Sequence, residues 1–161
     1  MMKIHKKHNG FTLIELLVAL VLLALIVTSA APLMQMTVKR NKEQELKRAL
    51  WQMRDAIDAY KEAVEDGRIE MSDDKSGYPS SLQELVDGVE NAQDPDNKKI
   101  YFLRRIPRDP FANDDTLSNA ETWGLRSYES SFDEGEAGED VYDVYSLSNA
   151  IGINKQPYKE W

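Results

Sequence analysis

The chain has no cysteine. That removes disulfides, thiolate metal sites and cysteine nucleophiles from consideration. Its only two histidines, His5 and His8, lie in the first ten residues, so the rest of the chain has no imidazole for catalysis or metal ligation. No glycine-rich phosphate-binding loop is present. Positive charge is also scarce. The 161 residues hold 20 Lys and Arg against 28 Asp and Glu, a net charge of −8. Lys3, Lys6 and Lys7 give residues 1–10 a charge of +3 and leave −11 for the remainder. An acidic body lacks the basic footprint of nucleic-acid binding, so no nucleic-acid partner is expected. One compact domain is the size expectation.

What the chain does have is a long apolar run, Phe11 to Met36, with no polar side chain between Leu16 and Val27. From Phe11 to Ala31, at about 1.5 Å per residue, a helix would span roughly 30 Å, enough to cross a bilayer. The basic tip precedes it, so the positive-inside rule leaves residues 1–10 in the cytoplasm and the body outside. Three readings fit this segment. A signal peptide has the same basic start, and Thr28-Ser29-Ala30-Ala31 resembles a small-residue cleavage site. There Pro32 disfavours a cut after Ala31 and leaves one after Ala30 open. A plain membrane anchor is the second reading.

The third starts from Glu15, a carboxylate inside the apolar run. A charged acid at the middle of a membrane helix costs about 2.5–3.5 kcal/mol on insertion scales, and less near an end, so it calls for a partner. Cleavage between Gly10 and Phe11 would create one, the new α-amino group of Phe11, at the positive end of the helix dipole. In an assembly, Glu15 of one subunit pairing with the Phe11 amine of the next would remove the cost of two isolated charges and fix axial register.

Gly10-Phe11-Thr12-Leu13-Ile14-Glu15 resembles the processing motif of the type IV pilin and pseudopilin family: a basic leader ending in Gly, then Phe, then an acid four residues on. The resemblance implies that a prepilin peptidase cuts after Gly10, that Phe11 becomes the methylated first residue, and that Glu15 is the assembly acid. It also implies that the helix kink at Pro32, where a proline removes a backbone donor, can extend or melt when subunits enter a filament. The blander reading of Pro32 is a membrane boundary.

Beyond the apolar run, Leu46, Ala49/Leu50, Met53, Ile57, Tyr60 and Val64 recur at three- and four-residue steps, as on a helix with one apolar face. Lys42, Glu43, Glu45, Lys47, Arg48, Arg54, Asp55, Asp58, Lys61 and Glu62 fall on the other, charged face. Asp66-Gly67 reads as the helix stop. Residues 67–79 read as a loop, and Ser81-x-x-Glu84 as a capping box opening a short helix through Leu82, Leu85 and Val86. Residues 87–99 read as loop, 100–106 as a short apolar segment with Arg104 and Arg105 exposed, and Pro107 and Pro110 bar regular structure. Strands are expected at 122–128 and, most clearly, at 141–147, paired antiparallel. The terminal Trp161 is expected to dock on the domain.

The expected organisation is thus a leader over 1–10, a transmembrane and assembly helix over 11–35, its amphipathic continuation over 36–66, and a periplasmic globular part over 67–161. The fold class is α+β: a long N-terminal helix, membrane-spanning in its first half, packed on a small antiparallel sheet with a short additional helix, in pilin-like fashion.

Three later segments resemble the G-type major pseudopilin branch of type II secretion systems: Gly77-Tyr78-Pro79-Ser80-Ser81-Leu82-Gln83-Glu84-Leu85, Leu103-Arg104-Arg105-Ile106-Pro107-Arg108-Asp109-Pro110-Phe111, and Asp143-Val144-Tyr145-Ser146-Leu147-Ser148. The absent cysteines agree, because type IV major pilins usually tie their C-terminal loop with a disulfide. The resemblance implies a structural, non-enzymatic subunit of the bacterial inner membrane, single-pass, which assembles with its own copies into a pseudopilus. It implies dealings with prepilin peptidase, minor pseudopilins, an inner-membrane assembly platform and an outer-membrane secretin. The rival readings are a type IV pilus pilin, major or minor, and, more distantly, an anchored periplasmic binding domain or enzyme. Family members of this branch typically hold calcium in a loop after the last strand. Calcium takes about six to eight oxygen ligands, and no acid stands between Ser146 and Lys159 here, so no cofactor is expected. The acidic loop Asp133–Asp140 is read as solvated, with a cation site there as the minor alternative.

Overall fold

A single helix, α1, accounts for a third of the chain. In the computed structural model it runs from Leu13 to Glu65. The structure describes residues 11–72, 75–130 and 138–161, and only the backbone of 29–32. The chain divides into two compact units, Met1–Lys39 and Arg40–Trp161. The first unit's described part is helical from Leu13 onward, with its side chains exposed over 13–28 and 33–38.

The second unit is built on the remainder of α1. Leu46, Ala49, Leu50, Met53, Ala56, Ile57, Tyr60 and Ala63 form its buried stripe. Against it lie Ile69, Leu82, Leu85, Leu103, Ile106, Trp123, Val141, Val144 and Tyr158. The spacing of three and four residues that marks the stripe in the sequence is what turns these side chains onto one face. The helix ends in a Schellman arrangement: Gly67 sits at φ 71°, its N–H reaches the Val64 carbonyl (2.9 Å), and the Arg68 N–H reaches that of Ala63 (2.8 Å). Glycine occupies the left-handed position because it has no Cβ to clash there.

After α1 come α2 (Leu82–Asp87), β1 (Val89–Glu90), β2 (Lys99–Ile100), β3 (Trp123–Arg126) and β4 (Asp143–Ser146). Three-residue 3-10 turns precede β3 at Ala120–Thr122 and close the chain at Tyr158–Glu160. Ser81 caps α2, its hydroxyl accepting the Glu84 N–H at 3.4 Å. The reciprocal arm of the box is displaced by one residue, since the Glu84 carboxylate accepts from the N–H and hydroxyl of Ser80, both at 2.8 Å.

The strands form two separate antiparallel pairs rather than one sheet, β1 with β2 and β3 with β4. The β1–β2 ladder lies where a loop and an apolar segment were expected, and two residues per strand are too few to show a period. In the β3–β4 pair Gly124 stands opposite Tyr145, and a Cβ at Gly124 would collide with the tyrosine ring. The ring therefore covers the glycine, and the Arg126 guanidinium lies over the same ring, 4.7 Å from its centroid.

Some side chains assigned to the charged face of α1 are placed differently by the structure; Lys61 is half-buried, its ammonium donating to the Ser76 carbonyl at 3.1 Å. Glu43 is buried, and Arg54 is half-buried. Arg54 Nε donates to Asp143 Oδ1 at 2.7 Å and its Nη2 to the Trp161 carbonyl at 2.8 Å. Period alone cannot distinguish a solvated charge from one with a distant partner. Asp109, in the proline-bracketed segment, is buried as well. It accepts from the Phe111 N–H at 2.8 Å and the Ser146 hydroxyl at 2.5 Å, tying that segment to β4.

Candidate assembly site

The first four N–H groups of a helix have no partner within it. At the start of α1, Thr12 supplies one: its hydroxyl accepts the Glu15 N–H at 3.4 Å, while its carbonyl accepts the Leu16 N–H at 3.2 Å. Glu15 is the acid of the first turn, where negative charge is favoured by the exposed N–H groups and the helix dipole. Thr12-Leu13-Ile14-Glu15 is thus a capping-box spacing. Reading Glu15 only as a charge in an apolar run passed over Thr12, although the Thr-x-x-Glu signal was in the sequence.

Phe11 is 82% exposed, and Glu15 is exposed one turn along. Among the described residues, Glu15 has no ion-pair partner. Gly10 and the rest of 1–10 lie outside the described residues. The helix therefore begins with an exposed aromatic, a capping hydroxyl and an available carboxylate at its positive end.

The large apolar side chains that follow, from Leu13 to Val27 and again at Leu33, Met34, Met36 and Val38, are all exposed. An 18-residue window of α1 has a mean hydropathy of 2.7 with nothing in it buried. Burying one such side chain is worth about 1.5–3 kcal/mol, and water-exposed apolar patches of this extent mark membrane or protein contacts. Pro32 falls within the bounds of α1; its side chain lies outside the described residues. With no N–H, it cannot donate to the Thr28 carbonyl. The Thr28 hydroxyl meanwhile bonds the carbonyls of Ala24 (2.9 Å) and Leu25 (3.0 Å), and the Thr37 hydroxyl that of Leu33 (3.0 Å). Threonines back-bonded in this way favour helix bending.

The second unit contains a cleft of about 550 Å³ lined in part by Tyr60, Tyr78, Glu84, Ser127, Glu129 and Asp140. Two of its carboxylates, Glu84 and Asp140, serve as hydrogen-bond acceptors. Glu84 takes the Tyr60 hydroxyl (3.1 Å) in addition to Ser80. Asp140 takes the Tyr128 N–H (2.9 Å). Burial works to raise the Asp140 carboxyl, but hydrogen bonds from Ser76, Tyr128 and Ser127 outweigh it and hold it below the ordinary carboxylate range. Neither is arranged as a general acid facing a base.

Several oxygens of the loop after β4 are used within the loop: the Ala150 carbonyl accepts the Tyr158 N–H, that of Gly152 the Lys155 N–H, and that of Gln156 the Gly152 N–H. Asn154 Oδ1 takes the Gln156 N–H, and Ser148 Oγ that of Ala150. Among the described residues no three His, Cys, Asp or Glu side chains converge as a metal site requires. Of the acidic loop, Asp133, Glu134 and Glu136 lie outside the described residues.

Residues 5–31 match a family profile described as the prokaryotic N-terminal methylation motif. Curated relatives extend the similarity well past that motif. The chain is 27% identical over 152 residues to the type II secretion system core protein G of Escherichia coli (strain K12), covering 91% of this chain and 97% of that protein. It is 27% identical over 116 residues to the core protein G of Vibrio cholerae serotype O1, covering 70% and 72% respectively. For that of Klebsiella michiganensis the identity is 24% over 139 residues, covering 84% and 90%. No solved structure matches the chain significantly.

Proposed function

We propose that the chain is a pilin-like protein and the subunit of a pseudopilus, a reading supported by the match to the N-terminal methylation motif and by similarity over most of its length to type II secretion system core protein G. The precursor is held in the bacterial inner membrane by the apolar part of α1, with residues 1–10 cytoplasmic and the second unit periplasmic. Prepilin peptidase cuts after Gly10, and Phe11 becomes the methylated N-terminus. The observation that carries this reading is the conjunction at one helix end of exposed Phe11, the Thr12 cap and a carboxylate, Glu15, with no partner among the described residues.

Assembly exchanges lipid for neighbouring helices along the exposed apolar side chains of α1. Glu15 meets the Phe11 amine of an adjacent copy, which neutralises both charges in an apolar surrounding and sets axial register. The stretch around Pro32 absorbs the change in helix geometry that packing demands. The subunit has a structural role and catalyses nothing; an assembly platform and its motor supply the energy, minor pseudopilins begin the filament, and a secretin receives what it moves. A deletion strain tests the role. Loss of exoprotein release with surface piliation intact is the expected outcome; loss of piliation with normal release would instead assign the chain to a type IV pilus.

A further inference from the structure

Residues 147–161 follow the last strand and form no regular element except their closing 3-10 turn. We infer that this segment is fixed to α1 by a carboxylate, Glu43, and not by the calcium that the family resemblance implies, so that the fold closes without divalent metal. Glu43 is 8% exposed. Its Oε1 accepts the Ile153 N–H at 2.7 Å and the Tyr158 hydroxyl at 2.8 Å. A cation-binding loop turns oxygens inward. This one directs two hydrogen-bond donors at an anion and uses its oxygens within itself, which is the opposite polarity.

The contact is supported on both sides. Tyr158 is fully buried, its ring stacked on Phe111 with centroids 4.1 Å apart and edge-on to Trp161 at 5.0 Å. Three helical turns beyond Glu43, Arg54 holds the Val144 and Trp161 carbonyls at 3.2 and 2.8 Å. Arg126 donates to the Lys159 carbonyl at 3.3 Å. Lys155, exposed at φ 67°, adds a positive charge to the loop. A carboxylate accepting two hydrogen bonds out of solvent is stronger than a neutral acceptor, and Glu43 pins both the loop and its closing turn. The latch stands independently of whether the chain assembles into a filament.

The test uses the full chain in detergent micelles, with calcium at millimolar concentration or with EDTA. Thermal midpoints and the rate of tryptic cleavage at Lys155 and Lys159 are read together. The wild type should melt at the same temperature in both conditions and resist trypsin in both. Glu43→Ala should lower the midpoint by several degrees and raise cleavage at least about fivefold, with no rescue by calcium. Should Glu43→Ala fail to fold, Tyr158→Phe keeps the ring stack and removes one donor, and it should show the same changes at smaller size. A wild-type midpoint that rises by several degrees with calcium, rescue of either variant by calcium, or a Tyr158→Phe protein indistinguishable from wild type would each overturn the inference.

Discussion

Glu43 and Tyr158, 115 positions apart, share a buried hydrogen bond of 2.8 Å that joins α1 to the last turn of the chain. Burial, and after it the hydrogen bond and charge of Glu43, push the Tyr158 hydroxyl above the ordinary tyrosine range. Burial and Glu84 do the same for Tyr60. A tyrosine raised in this way keeps its proton in the folded state after the unfolded chain has lost it. Its contribution to stability is therefore complete below about pH 10, the unfolded value, and is lost as pH rises beyond that. Thermal midpoints should fall above about pH 10, and Tyr158→Phe should shallow that fall. An equal slope in the variant would contradict the coupling.

The buried stripe of α1 sets the second unit's stability. Ile57 has no solvent exposure, whereas Trp51, on the opposite face, is 71% exposed. Ile57→Ala should cost about 2–5 kcal/mol through lost contacts and the cavity left behind. Trp51→Ala should stay within about 0.5 kcal/mol. Denaturant titration of the two variants in micelles measures both. A larger loss at Trp51 than at Ile57 would mean that the helix faces are assigned wrongly.

Gly124 is required by the ring of Tyr145 across the β3–β4 pair. Gly124→Val should destabilise by about 1–3 kcal/mol, the usual cost of overpacking. Adding Tyr145→Ala should recover part of that loss, because the clash is with this ring. Strictly additive losses in the double variant would show that the glycine is needed for another reason.

Much of this architecture is legible in the sequence, and the parts that are not share a cause. Leu46 to Tyr60 reveal their face by period, Gly67 its helix stop by type, and Val144 and Tyr145 their strand by propensity. Glu43 and Arg54 look like solvated charges to any local reading, since their partners lie about a hundred residues away and only the folded chain brings them together. The β1–β2 ladder is too short to show alternation. At the assembly site, Phe11 and Glu15 stand out because a peptidase motif is linear in the chain. Thr12 is readable from its three-residue spacing to Glu15, which marks a capping box. The burial of Asp109 against Ser146 had no sequence signal at all.

Removing the carboxylate while keeping an apolar surface isolates its role. Glu15→Val should insert in the membrane and be processed after Gly10 as before, because neither step needs the acid. Filament yield and exoprotein release should drop more than about tenfold, since about 1.4 kcal/mol lost per subunit contact is already a factor of ten in association. Normal secretion by this variant would exclude charge pairing as the register device.

The central claim is that this chain is a processed, methylated filament subunit, and the mass and N-terminal sequence of the protein recovered from membranes test it most directly. The account predicts a chain that begins at Phe11, carries one methyl group on its α-amine, and has lost residues 1–10. A chain that begins at Ala31, or one that retains Met1 in cells with an active prepilin peptidase, would contradict it.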